Sequence, residues 1–241
     1  MLNYNPLWKA MTPKKILQHL FRLIAMIASI ARMQKKTNPL PTSSQQNESL
    51  STKKNANCAA SAISGLKSSV ASARQSALLS LRLGCMDSTR QINLFVLHCS
   101  DTRPSQNYTL ERLQRDHRAR GFGAWPGYHV YIRRDGTIHY CRPISEIGCH
   151  VKNWNAHSIG ICYEGGHAEQ GARPIYIDNR TDAQKESLRA VFSLLHEIYP
   201  DAVLRGHHEL DGHKACPCLA YPPEMEYRDI FKHPYDNDSI Q

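Results

Sequence analysis

Residues 92–98 have the sequence INLFVLH, in which every position except Asn93 and His98 is apolar. A short apolar run of this kind is typical of a central strand that is buried on both faces of a sheet. Side chains alternate across a strand, so Leu94, Val96 and His98 share one face. We therefore predict a buried strand that carries His98 to its end.

Helix and strand patterns alternate along the chain from this strand to residue 206. Asp135-Gly136 is a hairpin signal between two short strands. Thr181 and Gln184 form a variant of the capping box at the start of a long helix, which Pro200 ends. The further elements are a helix at 109–120, strands at 128–133, 137–142 and 158–164, a helix at 181–199 and a strand at 203–206. This order predicts a single α/β domain with a central mixed β-sheet flanked by helices.

The N-terminal third differs from the rest of the chain in charge and composition. Residues 1–85 contain 12 Lys and Arg residues against the single acid Glu48, a net charge of +11, whereas residues 86–241 carry 18 basic and 20 acidic residues, a net charge of −2. Residues 32–85 contain no aromatic residue and are rich in Ser, Lys, Asn, Gln and Ala. They bury too little apolar surface to offset ordering entropy, so we predict a largely disordered basic segment with a weak helix at 71–83.

The change in composition predicts three segments: a basic low-complexity segment at 1–85, a folded domain at 86–230 and a C-terminal tail at 231–241. Because Met86 lies at the change, a second hypothesis places the true translation start there. N-terminal sequencing of the native protein distinguishes the two.

Residues 16–31 are the most apolar part of the basic segment. His19 and Arg22 interrupt them, so the run stays short of the about 18 apolar residues of a transmembrane helix. Lysines precede the run and small residues end it, which is the outline of a signal peptide. An amphipathic helix without a targeting role explains the pattern equally well. A signal peptide predicts a secreted or cell-envelope protein, and the alternative predicts a cytoplasmic one.

The eight cysteines do not require a disulfide scaffold, because a chain of 241 residues can build a hydrophobic core. Cys99 and Cys162 lie within apolar strand-like runs, where a free thiol behaves as a small hydrophobic side chain. We expect mostly reduced, buried cysteines and one metal ligand. Disulfides stay an alternative for an exported protein.

A second informative stretch follows the last predicted strand. It reads LRGHHELDGHKACP at residues 204–217 and contains His207, Lys214 and Cys216. Strands that end at the same edge of a sheet can bring His207 close to His98, and the loop beyond can fold back to supply Cys216. Two imidazoles and one thiolate are good zinc ligands, and three protein ligands with one open position are typical of a hydrolytic site. The alternative is that these are ordinary strand-end and loop residues.

Six short motifs between residues 98 and 217 occur in an order that one known family shares. They are HCS at 98–100, GYH at 127–129 with RDGT at 134–137, GCH at 148–150, NAHSIGI at 155–161, GG at 165–166, and HHE at 207–209 with KACP at 214–217. With these motifs the chain resembles the zinc-dependent N-acetylmuramoyl-L-alanine amidases, which include T7-type phage lysozymes and peptidoglycan recognition proteins. The resemblance covers roughly residues 90–220, and the segment 1–85 has no counterpart in it.

The resemblance implies a cofactor and roles for individual residues. Zinc would be bound by His98, His207 and Cys216, and Tyr128 and Lys214 would assist catalysis. Zinc polarises a scissile carbonyl and lowers the pKa of a bound water. The lysine cation would stabilise the developing oxyanion, and the phenol would hydrogen-bond the water or that oxyanion. His150 is implied as a substrate-binding residue that lines the cleft.

The implied reaction is hydrolysis of the amide bond between N-acetylmuramic acid and L-alanine in peptidoglycan. The resemblance thus predicts a peptidoglycan or muropeptide partner for a monomeric, endolysin-like protein of phage, prophage or bacterial origin. Because the folded domain is nearly neutral, we expect it to bind no nucleic acid. The basic segment 1–85 can make a weak contact with a membrane.

One departure from the family and three competing functions stay open. The spacing from His207 to Cys216 is about one residue longer than in the phage enzymes, so His208 or His213 could compete as ligands. The protein could instead be a peptidoglycan-binding module without catalysis. It could be a hydrolase with Cys216 as nucleophile and His98 or His207 as base. In the third alternative, the basic segment is the functional part and tethers the domain to membrane or nucleic acid.

Overall fold

The computed structural model describes residues 72–171, 173 and 175–231. Its helices are α1 (72–86), α2 (Leu110–Ala119), α3 (Asp182–Ile198), α4 (His207–Leu210) and α5 (Pro223–Glu226). Its strands are β1 (Leu94–Cys99), β2 (Val130–Ile132), β3 (Ile138–Tyr140), β4 (Ser158–Tyr163) and β5 (Val203–Gly206). The predictions of disorder before residue 72, of a signal-like helix at 16–31 and of a tail beyond residue 231 lie outside the described residues.

The five strands form one mixed sheet in the order β3-β2-β4-β1-β5, which confirms the predicted fold class. β1 is parallel to both of its neighbours, β4 and β5, and only β3 runs antiparallel to its partner. Leu97 pairs with Gly206, and His98 and His207 are the residues that follow this pair along the two strands. The carboxyl ends of parallel strands are the edge at which α/β proteins bind ligands.

The two faces of β1 pack against different neighbours. Phe95, Leu97 and Cys99 lie in the large hydrophobic core, which α3 covers from above. Leu94 and Val96 belong to a smaller cluster on the opposite face, the face to which His98 also belongs by alternation. The stripe that α3 buries consists of Leu188, Val191, Phe192, Leu194 and Leu195.

Helix α1 precedes the predicted domain boundary at residue 86, yet it packs in the same large core. Its Leu81 is fully buried, and Cys85, one turn further on, is also buried. Arg82 of α1 forms an ion pair with Glu197 of α3, with Nη2 2.6 Å from Oε2. The sequence predicts only a weak helix here, because its stability comes from tertiary packing rather than from helix propensity.

Helices α2 and α3 begin where the sequence predicts. The Thr109 side chain accepts a hydrogen bond from the Arg112 N–H at the start of α2. At the start of α3, Thr181 and Gln184 form the predicted capping box, each side chain accepting from the other's backbone N–H. These caps satisfy N–H groups that have no partner within the helix.

The seven cysteines of the described residues are all free, and five of them are buried. Cys58 lies outside this part of the chain. Over the same described residues, no helix combines the length and the apolar character that crossing a membrane requires.

Candidate metal and catalytic site

Three side chains meet where β1 and β5 end. His98, His207 and Cys216 each offer one ligand atom, and these atoms lie within 4.8 Å of one another. His98 Nδ1 is 3.6 Å from Cys216 Sγ, and the rings of His98 and His207 are 4.6 Å apart between centroids. The structure thus brings together the three residues that the sequence predicts as ligands. That they bind zinc stays a prediction.

Two hydrogen bonds fix the loop that returns Cys216 to the sheet. His207 begins α4, a short helix that the sequence does not predict. The His208 N–H donates to the Cys216 carbonyl oxygen at 2.7 Å, which ties the returning loop to the start of α4. One residue later, the Pro217 carbonyl accepts from the buried Tyr163 hydroxyl at 2.6 Å. These two contacts fix the backbone at Cys216 and at the residue that follows it.

The surroundings of Cys216 suit a thiolate that binds a cation. Its Sγ accepts a hydrogen bond from the backbone N–H of Cys99 at 3.2 Å, and such a donor stabilises negative charge on sulfur. Burial raises the pKa of the Cys216 thiol well above its ordinary value, so the thiol alone stays protonated. A coordinated metal reverses this balance, because a thiol that binds a metal is deprotonated.

The two histidines are held in the neutral form that binds metals. His98 is 1% exposed, and burial lowers its pKa well below the ordinary value, with a smaller contribution from His207. Burial also lowers the pKa of His207. Two neutral imidazoles and one thiol form a donor set that zinc prefers, so the residues present fit this ion.

Tyr128 and Lys214 border this group. The Tyr128 ring lies 5.0 Å from the His98 ring between centroids. Burial raises the pKa of the Tyr128 hydroxyl well above its ordinary value, and the neighbouring Cys162 thiol adds to this, so the phenol stays a hydrogen-bond donor. Lys214 is exposed, and its charge contributes to lowering the pKa of His207. Tyr128 is thus a neutral donor beside His98, and Lys214 is a cation that acts on His207.

His150 contacts a proposed ligand directly. Its Nδ1 lies 3.0 Å from His98 Nε2, and its Nε2 lies 3.4 Å from Ser158 Oγ. The contact with substrate that the resemblance implies for His150 stays a prediction. The hydrogen bond to His98 is a contact that the sequence does not reveal.

The two competing histidines of the 207–216 loop lie outside the group of three. His213 is exposed, and its N–H donates to Asp211 Oδ1 at 3.2 Å. The ring of His208 lies against Gly206. Between His208 and Cys216 the chain makes a turn, in which the Lys214 N–H donates to the Asp211 carbonyl at 3.0 Å.

Arg90 supports the site and has no signal in the sequence. Its guanidinium donates to the carbonyl oxygens of Ile144, Asn155 and Ser158 at distances between 2.7 and 2.8 Å. It therefore ties together both sides of the loop that carries His150. No side-chain motif marks this role, because the partners are backbone carbonyls that any sequence provides.

Taken together, these features define an α/β protein with a two-histidine, one-cysteine donor set at the carboxyl edge of its sheet. A family model described as N-acetylmuramoyl-L-alanine amidase matches residues 88–219. The chain belongs to the N-acetylmuramoyl-L-alanine amidase family.

Two phage endolysins agree with this assignment. The chain is 42% identical over 123 residues to the endolysin of Escherichia phage T7, covering 50% of this chain and 77% of that protein. It is 35% identical over 130 residues to the endolysin of Enterobacteria phage K11, covering 53% and 82%. The solved structure of the amidase LysCS from Clostridium intestinale URNW aligns with 30% identity and a TM-score of 0.48, covering 58% of this chain and 83% of that one.

Proposed function

We propose that this protein is a zinc-dependent N-acetylmuramoyl-L-alanine amidase that cleaves the bond between N-acetylmuramic acid and L-alanine in peptidoglycan. Membership of the family and similarity to phage endolysins support peptidoglycan amidase activity. The observation that carries zinc dependence is the approach of His98, His207 and Cys216 to within 4.8 Å at the edge where α/β folds bind ligands.

The protein contributes fixed positions for the side chains that would bind a zinc ion. His98, His207 and Cys216 would hold the ion, and zinc, when bound, would supply Lewis acidity that polarises a carbonyl and acidifies water. The Cys99 N–H fixes the sulfur of Cys216 on one side, and the position of His98 at the end of β1 fixes the first imidazole.

Tyr128 and Lys214 act on the charge that develops during amide hydrolysis. When a nucleophile adds to the carbonyl carbon, the carbonyl oxygen becomes an oxyanion, and donors or cations placed beside it lower the barrier. The Tyr128 phenol is protonated, because burial raises its pKa, and it can donate a hydrogen bond. The Lys214 ammonium supplies positive charge near His207, whose pKa it helps to lower.

The test is hydrolysis of purified peptidoglycan by the full chain, followed by mass spectrometry of the soluble products. We expect free stem peptides that begin with L-alanine and glycan strands that keep their N-acetylmuramic acid. A chelator should abolish the release, and added Zn²⁺ should restore it.

Two outcomes would contradict the proposal and identify its competitors. Release that survives the chelator but stops with iodoacetamide indicates a hydrolase that uses Cys216 as nucleophile. Binding to peptidoglycan without any release, in protein shown by metal analysis to contain zinc, indicates a binding module.

A further inference from the structure

The two ring nitrogens of His98 face different partners. Nδ1 lies 3.6 Å from Cys216 Sγ, on the side of the proposed metal site. Nε2 lies 3.0 Å from Nδ1 of His150. A neutral imidazole carries one proton, so the group opposite Nε2 decides which nitrogen of His98 is free to bind a metal.

A chain of three hydrogen bonds fixes the direction of these protons. The Ser158 hydroxyl donates its only proton to the Trp154 carbonyl oxygen at 2.7 Å. Towards His150, therefore, Ser158 Oγ acts as an acceptor, and the imidazole Nε2 at 3.4 Å carries the proton. His150 Nδ1 then has a free lone pair and accepts from His98 Nε2. The remaining nitrogen of His98, Nδ1, is left unprotonated and faces Cys216.

The backbone around His150 leaves room for its ring and little else. A Cβ atom added to Gly148 would lie 2.5 Å from His150 Cδ2, and one added to Gly160 would lie 2.6 Å from the same atom. The side chain of Asn155 accepts from the backbone N–H of His150 at 3.0 Å. The imidazole is therefore confined from two sides and held at its own backbone, so its orientation is defined.

We propose that His150 is a positioning residue that sets the tautomer and ring orientation of His98, so that Nδ1 of His98 is presented to the zinc ion. The proposal rests on the zinc site of the proposed function and deepens it. His150 acts through His98, and Ser158 and the Trp154 carbonyl act through His150. A hydrogen bond of this kind on a metal-binding imidazole raises its basicity and its affinity for the metal.

The test is the zinc affinity of the full-length protein, measured by competition with a chromophoric chelator. His150→Leu removes the hydrogen bond and should weaken zinc binding by about 10- to 100-fold. His150→Gln keeps an acceptor oxygen and should recover part of that loss. Val151→Ala is the matched control, because it removes buried volume from the next residue and keeps the imidazole of His150, and it should leave the affinity within about threefold.

Nuclear magnetic resonance tests the same proposal in the unaltered protein, which keeps it falsifiable if His150→Leu does not fold. Long-range ¹H–¹⁵N spectra of the zinc-loaded protein should show His150 protonated at Nε2 and His98 protonated at Nε2 with Nδ1 bound to metal. Ser158→Ala should relax the preference of His150 for that tautomer.

The outcomes separate the positioning role from the zinc site itself. If the unaltered protein binds no zinc, the proposed function fails. If it binds zinc but folded His150→Leu binds equally well, or His150 is protonated at Nδ1, the zinc site stands and the positioning role is wrong.

Discussion

The two faces of strand β1 carry different functions although their residues alternate along one short segment. Phe95 and Leu97 are fully buried in the large core beneath α1 and α3. His98, between Leu97 and Cys99, points to the other face and meets His150, Tyr128 and the proposed ligands. One face of the strand holds the fold together, and the other holds polar groups in fixed positions.

This contrast shows how the site can be both buried and polar. Burying imidazoles and thiols without partners costs free energy, which the apolar face of the same sheet offsets. The contrast also implies that substitutions on the two faces of the strand have different measurable effects. Substitutions on the core face should reduce stability and leave the chemistry of the folded protein intact. Substitutions at the site should lower the rate of the reaction and leave stability unchanged.

The largest expected effect is on the core face, in the helix that lies outside the range matched by the family model. Leu81→Ala should lower the free energy of unfolding by about 2–5 kcal/mol, because Leu81 is fully buried against the core. Leu83→Ala, two residues away and 48% exposed, should change it by less than about 0.5 kcal/mol. Urea denaturation followed by circular dichroism measures the free energy of unfolding of both variants. Equal effects of the two substitutions would contradict the packing of α1 in the core.

Substitutions on the site face should act on rate instead. Tyr128→Phe and Lys214→Met should each lower the rate of amide hydrolysis by about 100-fold, roughly 2.7 kcal/mol, while zinc content and stability are retained. Lys152→Met, which removes another exposed lysine, is the control and should keep full activity. A loss of zinc in either site variant would show that the residue supports the metal rather than the reaction.

The third expected effect is a change of stability with pH, and it sharpens the contrast further because the site buries neutral histidines. Burial, with smaller contributions from Arg90 and Arg142, lowers the pKa of His129 from 6.5 to about 3, although its contact with the Glu146 carbonyl opposes the shift. Between pH 6.5 and 3 the unfolded chain thus binds a proton at this residue that the folded chain does not. The stability that the neutral His129 contributes is therefore fully present above pH 6.5 and is lost progressively as the pH falls towards 3.

The contribution of His129 is at most about 1.4 kcal/mol per pH unit. Urea denaturation at several pH values between 7 and 4 should show a steeper decline for the unaltered protein than for His129→Gln. Because other buried histidines titrate in both proteins, only the difference between the slopes is diagnostic. Identical slopes would contradict the low pKa.

The order of the elements could be predicted from the sequence, because periodicity, capping residues and the Asp135-Gly136 turn are local signals. The packing of α1 could not, since Leu81 and Cys85 become a stabilising pair only against the surface that α3 and the sheet provide. Helix α4 was also missed, because the alternation of the final strand gives no sign that the chain turns into a helix at His207.

The candidate site, like the fold, could be predicted from the sequence only in part. Its candidate ligand and catalytic positions follow from motifs that the chain shares with a family, so the roles of His98, His207, Cys216, Tyr128 and Lys214 could be predicted from the sequence. The groups that hold them were not. Arg90 binds backbone carbonyls, and the contact of His150 with His98 joins residues 52 positions apart through a slot between two glycines.

The most direct test of the zinc site compares two neighbouring thiols, since Cys216 belongs to the group of three ligands and Cys218 contacts Cys99 instead. Metal analysis of the purified proteins, together with their activity on peptidoglycan, should give one zinc per chain for the unaltered protein and for Cys218→Ser. Cys216→Ser should lose zinc and activity together. Full zinc content and full activity in Cys216→Ser would contradict the account.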